Sequence, residues 1–341
     1  MSELVELTTV TDDGAVFHVR ATPGAPVEVD RVSGATPDTE IEHRGVRFRT
    51  LARPAGALRS RFGTVNDVHF GEVECGRLDD EPLGPILRAA PGEQPYPVTM
   101  NRAAVDEMVA ADLAAVIAKG DLTAAARPDE FAAFDALYTS TFADRLHAVR
   151  GNHDAVAGRT EYAGDRWIEL PGVAIALLDT AIPDTESGTL RDEQIEWLDD
   201  RAAASTTPVM VMGHHQQWIS GERSPTYFGL HPDPSDALAS VIGRRRAIVA
   251  YLSGHTHRHR VRRTAAGVPS IEIGCVKDFP GTWAEYRVYD GGIQQIVHRV
   301  STPEALAWSE RCRVLYSDFG LDYPTYALGT LDQRCFVIPT R

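Results

Sequence analysis

Only four cysteines, Cys75, Cys275, Cys312 and Cys335, occur in the 341-residue chain, far apart and never in a CxxC spacing. Reduced thiols are the expected state, with a disulfide between the two C-terminal cysteines as the minor alternative. The chain opens on no basic, apolar leader and has no apolar run long enough to cross a bilayer, so a cytoplasmic location away from membranes is expected. Positive charge is scarce: 34 Lys and Arg against 48 Asp and Glu give a net charge of −14, with no basic stripe. That balance argues against a surface built for duplex nucleic acid or anionic membrane. It leaves phosphate esters open as substrates, because cations bound in a pocket dominate the local field. Internal repeats and low-complexity tracts are also missing, and the acidic run Asp79-Asp80-Glu81 reads as a solvated loop. What remains is ordinary for a globular protein, 43% hydrophobic and 24% charged, enough for one large domain with or without a small appendage.

The pattern along the chain divides it. Residues 1–58 carry β-forming clusters at Ala15–Ala21, Pro26–Val29 and Val46–Thr50 between Gly, Pro and Asp, without a helical period. They read as a small β-rich unit, too small to stand alone and therefore packed on the main domain. In residues 59–341, strands expected at Phe62–Val68, Leu113–Lys119, Leu146–Arg150, Val173–Asp179, Pro208–Met212 and Ala247–Ser253 alternate with helices. The helices are expected at Arg102–Ala111, Glu130–Phe142, Asp192–Ala204 and Ser235–Arg246. Two β-rich stretches, Arg260–Gly274 and Trp283–Val300, and a helix at Pro303–Tyr316 complete the chain. Alternation first and hairpins later predict an α/β fold of two sheets enclosed by helices.

Five short strings carry the chemistry: Asp67-Val68-His69, Gly120-Asp121, Gly151-Asn152-His153-Asp154, Gly213-His214-His215 and Gly254-His255-Thr256-His257. Nearly all close an apolar run, and the ends of neighbouring strands are where an α/β protein gathers distant groups into one crevice. Asp67 and His69, two apart, share one face of a strand and so reach a single ion together. Gly120 lets the chain turn so that Asp121 points outward, and a carboxylate has the lone pairs to bridge two cations. Asn152 offers a neutral amide oxygen, and His214, His255 and His257 offer imidazoles. Imidazole with carboxylate suits Mn, Fe, Zn or Co rather than Mg or Ca.

This ordered set resembles the calcineurin-like metallophosphoesterase superfamily, over roughly residues 62–276. The resemblance implies a four-layered α/β/β/α sandwich and a centre of two divalent or mixed-valence transition ions. By position, Asp67, His69, Asp121 and His257 would hold one ion; Asp121, Asn152, His214 and His255 would hold the other. Such ions lower the pKa of bound water from about 15.7 to about 7, which supplies a hydroxide nucleophile at neutral pH. His153, beside ligand Asn152, is the expected proton donor to the leaving group, with Asp154 holding its imidazole in the useful tautomer. His215 is expected in the outer shell or on substrate, and His231 as a substrate contact.

Among the branches of that superfamily, purple acid phosphatases carry Gly at the first His and Tyr soon after Gly-Asp, where this chain has His69 and Ala124. Serine/threonine protein phosphatases carry an arginine in the Gly-Asp block, and Leu122–Ala126 has none. The pattern is most similar to the bacterial class III cyclic nucleotide phosphodiesterase-like branch, though Ala126 and Gln216 stand where that branch usually has Gly and Pro. The expected function is hydrolysis of a small or cyclic nucleotide phosphodiester. Alternatives are a phosphomonoesterase, a nucleotide-sugar pyrophosphatase or a non-catalytic protein-binding scaffold. The expected partner is a small phosphate ester, with neither duplex nucleic acid nor membrane, and an oligomer is left open.

Overall fold

The computed structural model of the protein describes residues 3–22, 24–78, 81, 83–224 and 226–340. Asp79 and Asp80 of the acidic run lie outside the described residues. The chain begins with five strands: β1 (Leu4–Val10), β2 (Gly14–Arg20), β3 (Glu28–Ser33), β4 (Glu40–His43) and β5 (Val46–Arg49). Next come β6 (Leu58–Val65), α1 (Tyr96–Ala110), β7 (Ala115–Lys119), α2 (Pro128–Phe134), α3 (Ser140–Phe142) and β8 (Leu146–Val149). The middle holds β9 (Arg166–Leu170), β10 (Val173–Leu177), α4 (Asp192–Ala204), β11 (Val209–Met212), α5 (Pro232–Arg244) and β12 (Ile248–Ser253). The rest is β13 (Arg260–Arg263), β14 (Pro269–Glu272), β15 (Thr282–Tyr289), β16 (Gly292–Arg299), α6 (Pro303–Arg311), α7 (Tyr323–Leu328), α8 (Leu331–Arg334) and β17 (Phe336–Pro339).

Two six-stranded sheets, ordered β17-β16-β15-β6-β7-β8 and β13-β14-β12-β11-β10-β9, lie face to face. Side-chain alternation builds the layers. Along β10, Val173, Ile175 and Leu177 enter the core between the sheets with Phe62, Ile117, Met210 and Tyr286. Ala174 and Ala176 point the other way, against Leu198 of α4 and Leu238 of α5. Val65, Val116 and Ala118 likewise leave the inter-sheet core for Met100 and Met108 of α1 and Phe134 of α2. Strands covered on both faces read as unbroken apolar runs, which is why the sequence marks them clearly. The outcome is the expected α/β/β/α sandwich. β6, β7 and β8 run parallel, as do β10, β11, β12 and β14.

Several expectations needed correcting. α1 starts at Tyr96 rather than Arg102, because Pro97 fits the first helical turn, where its missing N–H costs nothing. The helix expected over Pro303–Tyr316 stops at Arg311 and tightens into a 3₁₀ turn at Cys312–Val314. β1, β4, β9 and β17 were not expected: β4, β9 and β17 are only four or five residues long, and β1 interrupts its apolar residues with Glu6, Thr8 and Thr9. β1–β3 form an antiparallel sheet and β4 and β5 a hairpin, sharing a core of Val10, Phe17, Val19 and Phe48 with Cys335. Cys312 belongs to a different core from Cys335, and all four thiols are free and buried, so the C-terminal disulfide does not form. Among the described residues no helix is long and apolar enough to cross a membrane.

Candidate metal centre

The loops leaving the C-terminal ends of β6, β7, β8, β11 and β12 converge at one edge of the sandwich. Asp67 and His69 lie past the end of β6, so a shared strand face does not align them. Instead the backbone takes left-handed turns: φ is +54° at Asp67, +51° at His69, +51° at Asp121, +67° at His255 and +52° at His257. Non-glycine residues adopt such angles rarely and at a cost on the order of 1–3 kcal/mol each, and they gather at functional sites. Here that conformation is held by amides crossing between loops. Val68 and His69 donate to the Asp121 carbonyl at 2.8 and 2.9 Å, and Phe70 donates to the Leu122 carbonyl at 3.1 Å. Two glycines are needed for the close approach. A Cβ on Gly120 would lie 2.5 Å from His214 Nδ1, and one on Gly151 would lie 2.2 Å from Asp121 Oδ1.

Side-chain donor atoms then cluster within 4.8 Å of one another in overlapping groups: Asp67, His69 and His257; Asp67, Asp121 and His214; and His214, His215 and His255. Asp121 joins the two ends, with Oδ2 3.5 Å from His69 Nε2 and 3.2 Å from His214 Nε2. Asn152 Oδ1 is 3.0 Å from His214 Nε2, which brings the amide to the Asp121, His214 and His255 side. All seven expected ligands are therefore brought together. His69 leaves both ring nitrogens buried without a hydrogen-bond partner, and His255 leaves Nε2 so. Buried polar atoms are rarely left unpaired, so orphans beside imidazole and carboxylate donors fit a site for transition-metal cations.

Protonation points the same way. Burial and the nearby Lys277 ammonium hold His69 well below its usual range, and burial does the same for His255, leaving neutral imidazoles ready to ligate. At His214 burial opposes the charge, yet the Asp121 carboxylate overrides it and lifts the imidazole to about 9. The same negative field attracts a metal cation, which must displace that proton to bind the ring.

His153 is partly exposed, its ring 4.7 Å from that of His69. Its donor atom also lies within 4.8 Å of donors on His69 and Asp121. The expected pairing with Asp154 does not occur. His153 Nδ1 meets the Ala124 carbonyl at 2.8 Å, while Asp154 is fully buried and accepts from the amides of Gly151, Leu122 and Thr123 and from the Thr123 hydroxyl. An acceptor-only group with four oxygen lone-pair sites suits this role, so Asp154 ties the Gly-Asp loop to the Gly-Asn-His loop. His215 is fully buried beside His214 and His255, with Nδ1 2.8 Å from the Thr180 hydroxyl and Nε2 left without a partner. His231 caps the start of α5, its amide bonded to the Gly188 carbonyl at 2.9 Å and its Nε2 buried without a partner.

The sequence reading missed the groups behind the ligands. Asp278 Oδ2 lies 3.3 Å from His257 Nδ1, and the same carboxylate accepts from the Tyr323 hydroxyl at 2.6 Å. The Lys119 carbonyl lies 2.9 Å from His214 Nδ1. Asn66 donates through Nδ2 to Asp67 and accepts from the buried Lys119 ammonium at 2.7 Å. Outer partners of this kind fix the tautomer and direction of a ligating imidazole. No motif marks Asp278; only its contact with His257 does.

The chain is 28% identical over 167 residues to a probable cyclic nucleotide phosphodiesterase of Synechococcus, covering 46% of this chain and 65% of that protein. It is 27% identical over 167 residues to another of Rhodococcus erythropolis, covering 46% of this chain and 54% of that one. The matches thus span less than two thirds of either relative. In fold it is similar to a dimetal phosphatase from Danio rerio, with a TM-score of 0.53 at 16% identity over 72% of this chain and 98% of the other. The family model for calcineurin-like phosphoesterases matches residues 60–259, more than half of the sequence, and the chain belongs to that family.

Proposed function

We propose that the protein is a phosphodiesterase acting on a small or cyclic nucleotide with two transition-metal ions, Mn, Fe or Zn. The carrying observation is the pair of donor groups joined through Asp121 Oδ2, 3.5 Å from His69 Nε2 and 3.2 Å from His214 Nε2. Asp67, His69 and His257 would hold one ion, Asn152, His214 and His255 the other, with Asp121 shared. Bound there, the ions would supply an activated water and offset charge on the phosphoryl oxygens.

The remaining tasks fall to the chain itself. The His153 amide donates to Asp121 Oδ1 at 3.0 Å and fixes the shared carboxylate. With its Nδ1–H given to the Ala124 carbonyl, the His153 imidazole keeps Nε2 free to hold a proton for the departing oxygen. Similarity to proteins named as probable cyclic nucleotide phosphodiesterases supports the diester class. Metal-depleted protein should hydrolyse none of bis-p-nitrophenyl phosphate, p-nitrophenyl phosphate or cyclic AMP, and added Mn should restore turnover of the diesters first. Full activity without metal would overturn the metal dependence, and preference for the monoester would overturn the diesterase assignment.

A further inference from the structure

The loop between His215 and α5 brings one large apolar side chain to the rim of the candidate metal centre. Phe228 is 47% exposed, yet its ring stacks on the ligand His255 with centroids 4.0 Å apart and planes at 30°. The loop holds it there. Leu230 N donates to the Gln216 carbonyl at 2.9 Å, Gly188 N to the Gly229 carbonyl at 2.8 Å, and the Ser187 hydroxyl to the Tyr227 carbonyl at 3.0 Å. Gly229 takes φ +143°, and a Cβ there would lie 2.8 Å from the Gln216 carbonyl oxygen, so the approach depends on glycine. Just beyond the ligand His257, Arg258 donates through Nε to Glu272 at 2.8 Å, and its guanidinium lies 5.1 Å from the centre of the Tyr326 ring.

We propose that Phe228 determines specificity by stacking a planar ring carried on the substrate's ester group, which makes the preferred substrate a nucleotide ester. The proposal rests on the phosphodiesterase reading above and names what that site selects. Every nucleobase has a π face that can lie on an aromatic ring. Arg258 and the exposed Arg260, both near Tyr227 next to Phe228, favour a polar ring over an acyl chain, which would strip water from their guanidinium groups.

The test uses the Mn-loaded full chain, with F228A and F228W beside it. Calorimetric titration with adenosine 5′-monophosphate and with methyl phosphate separates ring binding from phosphate binding. F228A should weaken the nucleotide about 5- to 30-fold, the effect of losing one stacked base, and move methyl phosphate by less than about twofold. F228W should restore nucleotide affinity, and all three proteins should hold the same metal content. Equal weakening of both ligands, no weakening of the nucleotide, failure of F228W to restore it, or loss of metal in F228A would each overturn the proposal. Because binding is read without turnover, Phe228-dependent nucleotide binding in a protein that hydrolyses no diester would sink the diesterase assignment and leave the platform standing.

Discussion

Asp278 meets His257 at Nδ1, whereas His153, like His214, is met at Nδ1 by a backbone carbonyl. A carboxylate makes an imidazole a better ligand, whereas a neutral carbonyl orients it without raising its basicity as far. Asp278→Asn should therefore lower metal affinity on the His257 side by about 10- to 100-fold, read by chelator competition. His153→Ala should leave metal content unchanged and slow hydrolysis of esters with poor leaving groups by about 10²–10⁴, the range for loss of a general acid. For p-nitrophenolate the loss should be far smaller, and equal losses for both leaving groups would count against the proton-donor role. Asp154, satisfied by four donors within the loops, is unavailable to His153.

Helices α4 and α5, which cover the outer face of one sheet, are joined to each other by charge. Asp199 on α4 accepts from Arg245 Nε at 2.7 Å and from Arg244 Nε at 3.0 Å, at the C-terminal end of α5. The hydrogen bond from Arg245 is the main reason its carboxyl is lowered to about 2. That is below the ordinary value of about 3.9, so the pairing contributes fully above about pH 4 and fades as pH falls toward 2. Solvent reaches Asp199, so screening keeps the contribution under about 1 kcal/mol. Asp199→Asn should flatten the acid limb of an unfolding-versus-pH curve and leave the curve near pH 7 only slightly lowered. A loss of several kcal/mol at pH 7 would show that the pair is shielded from water.

Across the whole molecule, residues before Asp67 supply no donor to any of the clusters found among the described residues, yet they are tied to the ligand loop. The Thr9 hydroxyl donates to the Val297 carbonyl at 2.7 Å, and the buried Arg334 guanidinium donates to the carbonyls of Leu7 and Thr8 in β1. The same guanidinium reaches the carbonyls of Leu328 and Gly329 at the end of α7. From α7 the Tyr326 hydroxyl bonds the Thr256 carbonyl at 2.9 Å, and the Ala327 carbonyl accepts from His259 N at 3.0 Å. Deleting residues 1–58 would strand Arg334 in a half-opened core, because a buried guanidinium without its acceptors is costly. The truncated chain should melt well below the full chain and bind metal more weakly through His255 and His257, as measured by calorimetry and chelator competition. Unchanged melting and metal affinity would mean that the unit is an independent appendage.

The candidate metal-holding residues stood out in the sequence because they follow buried strands closely, with a glycine between strand and donor in every string except that of Asp67 and His69. The sandwich was legible because strands covered on both faces are continuously apolar and alternate with helices. Short edge strands such as β9 and β17 were not, since a few residues of half-buried chain carry little pattern. Nor could the sequence decide which group meets which: Asp154 adjoins His153 but faces the amides of another loop, while Asp278 reaches His257 from 21 positions along the chain. The same holds for Phe228, an ordinary loop aromatic until folding stacks it on His255. Strand ends are written in local composition, whereas side-chain partners depend on how distant loops turn, and here left-handed backbone at five of the candidate metal-holding residues does the turning.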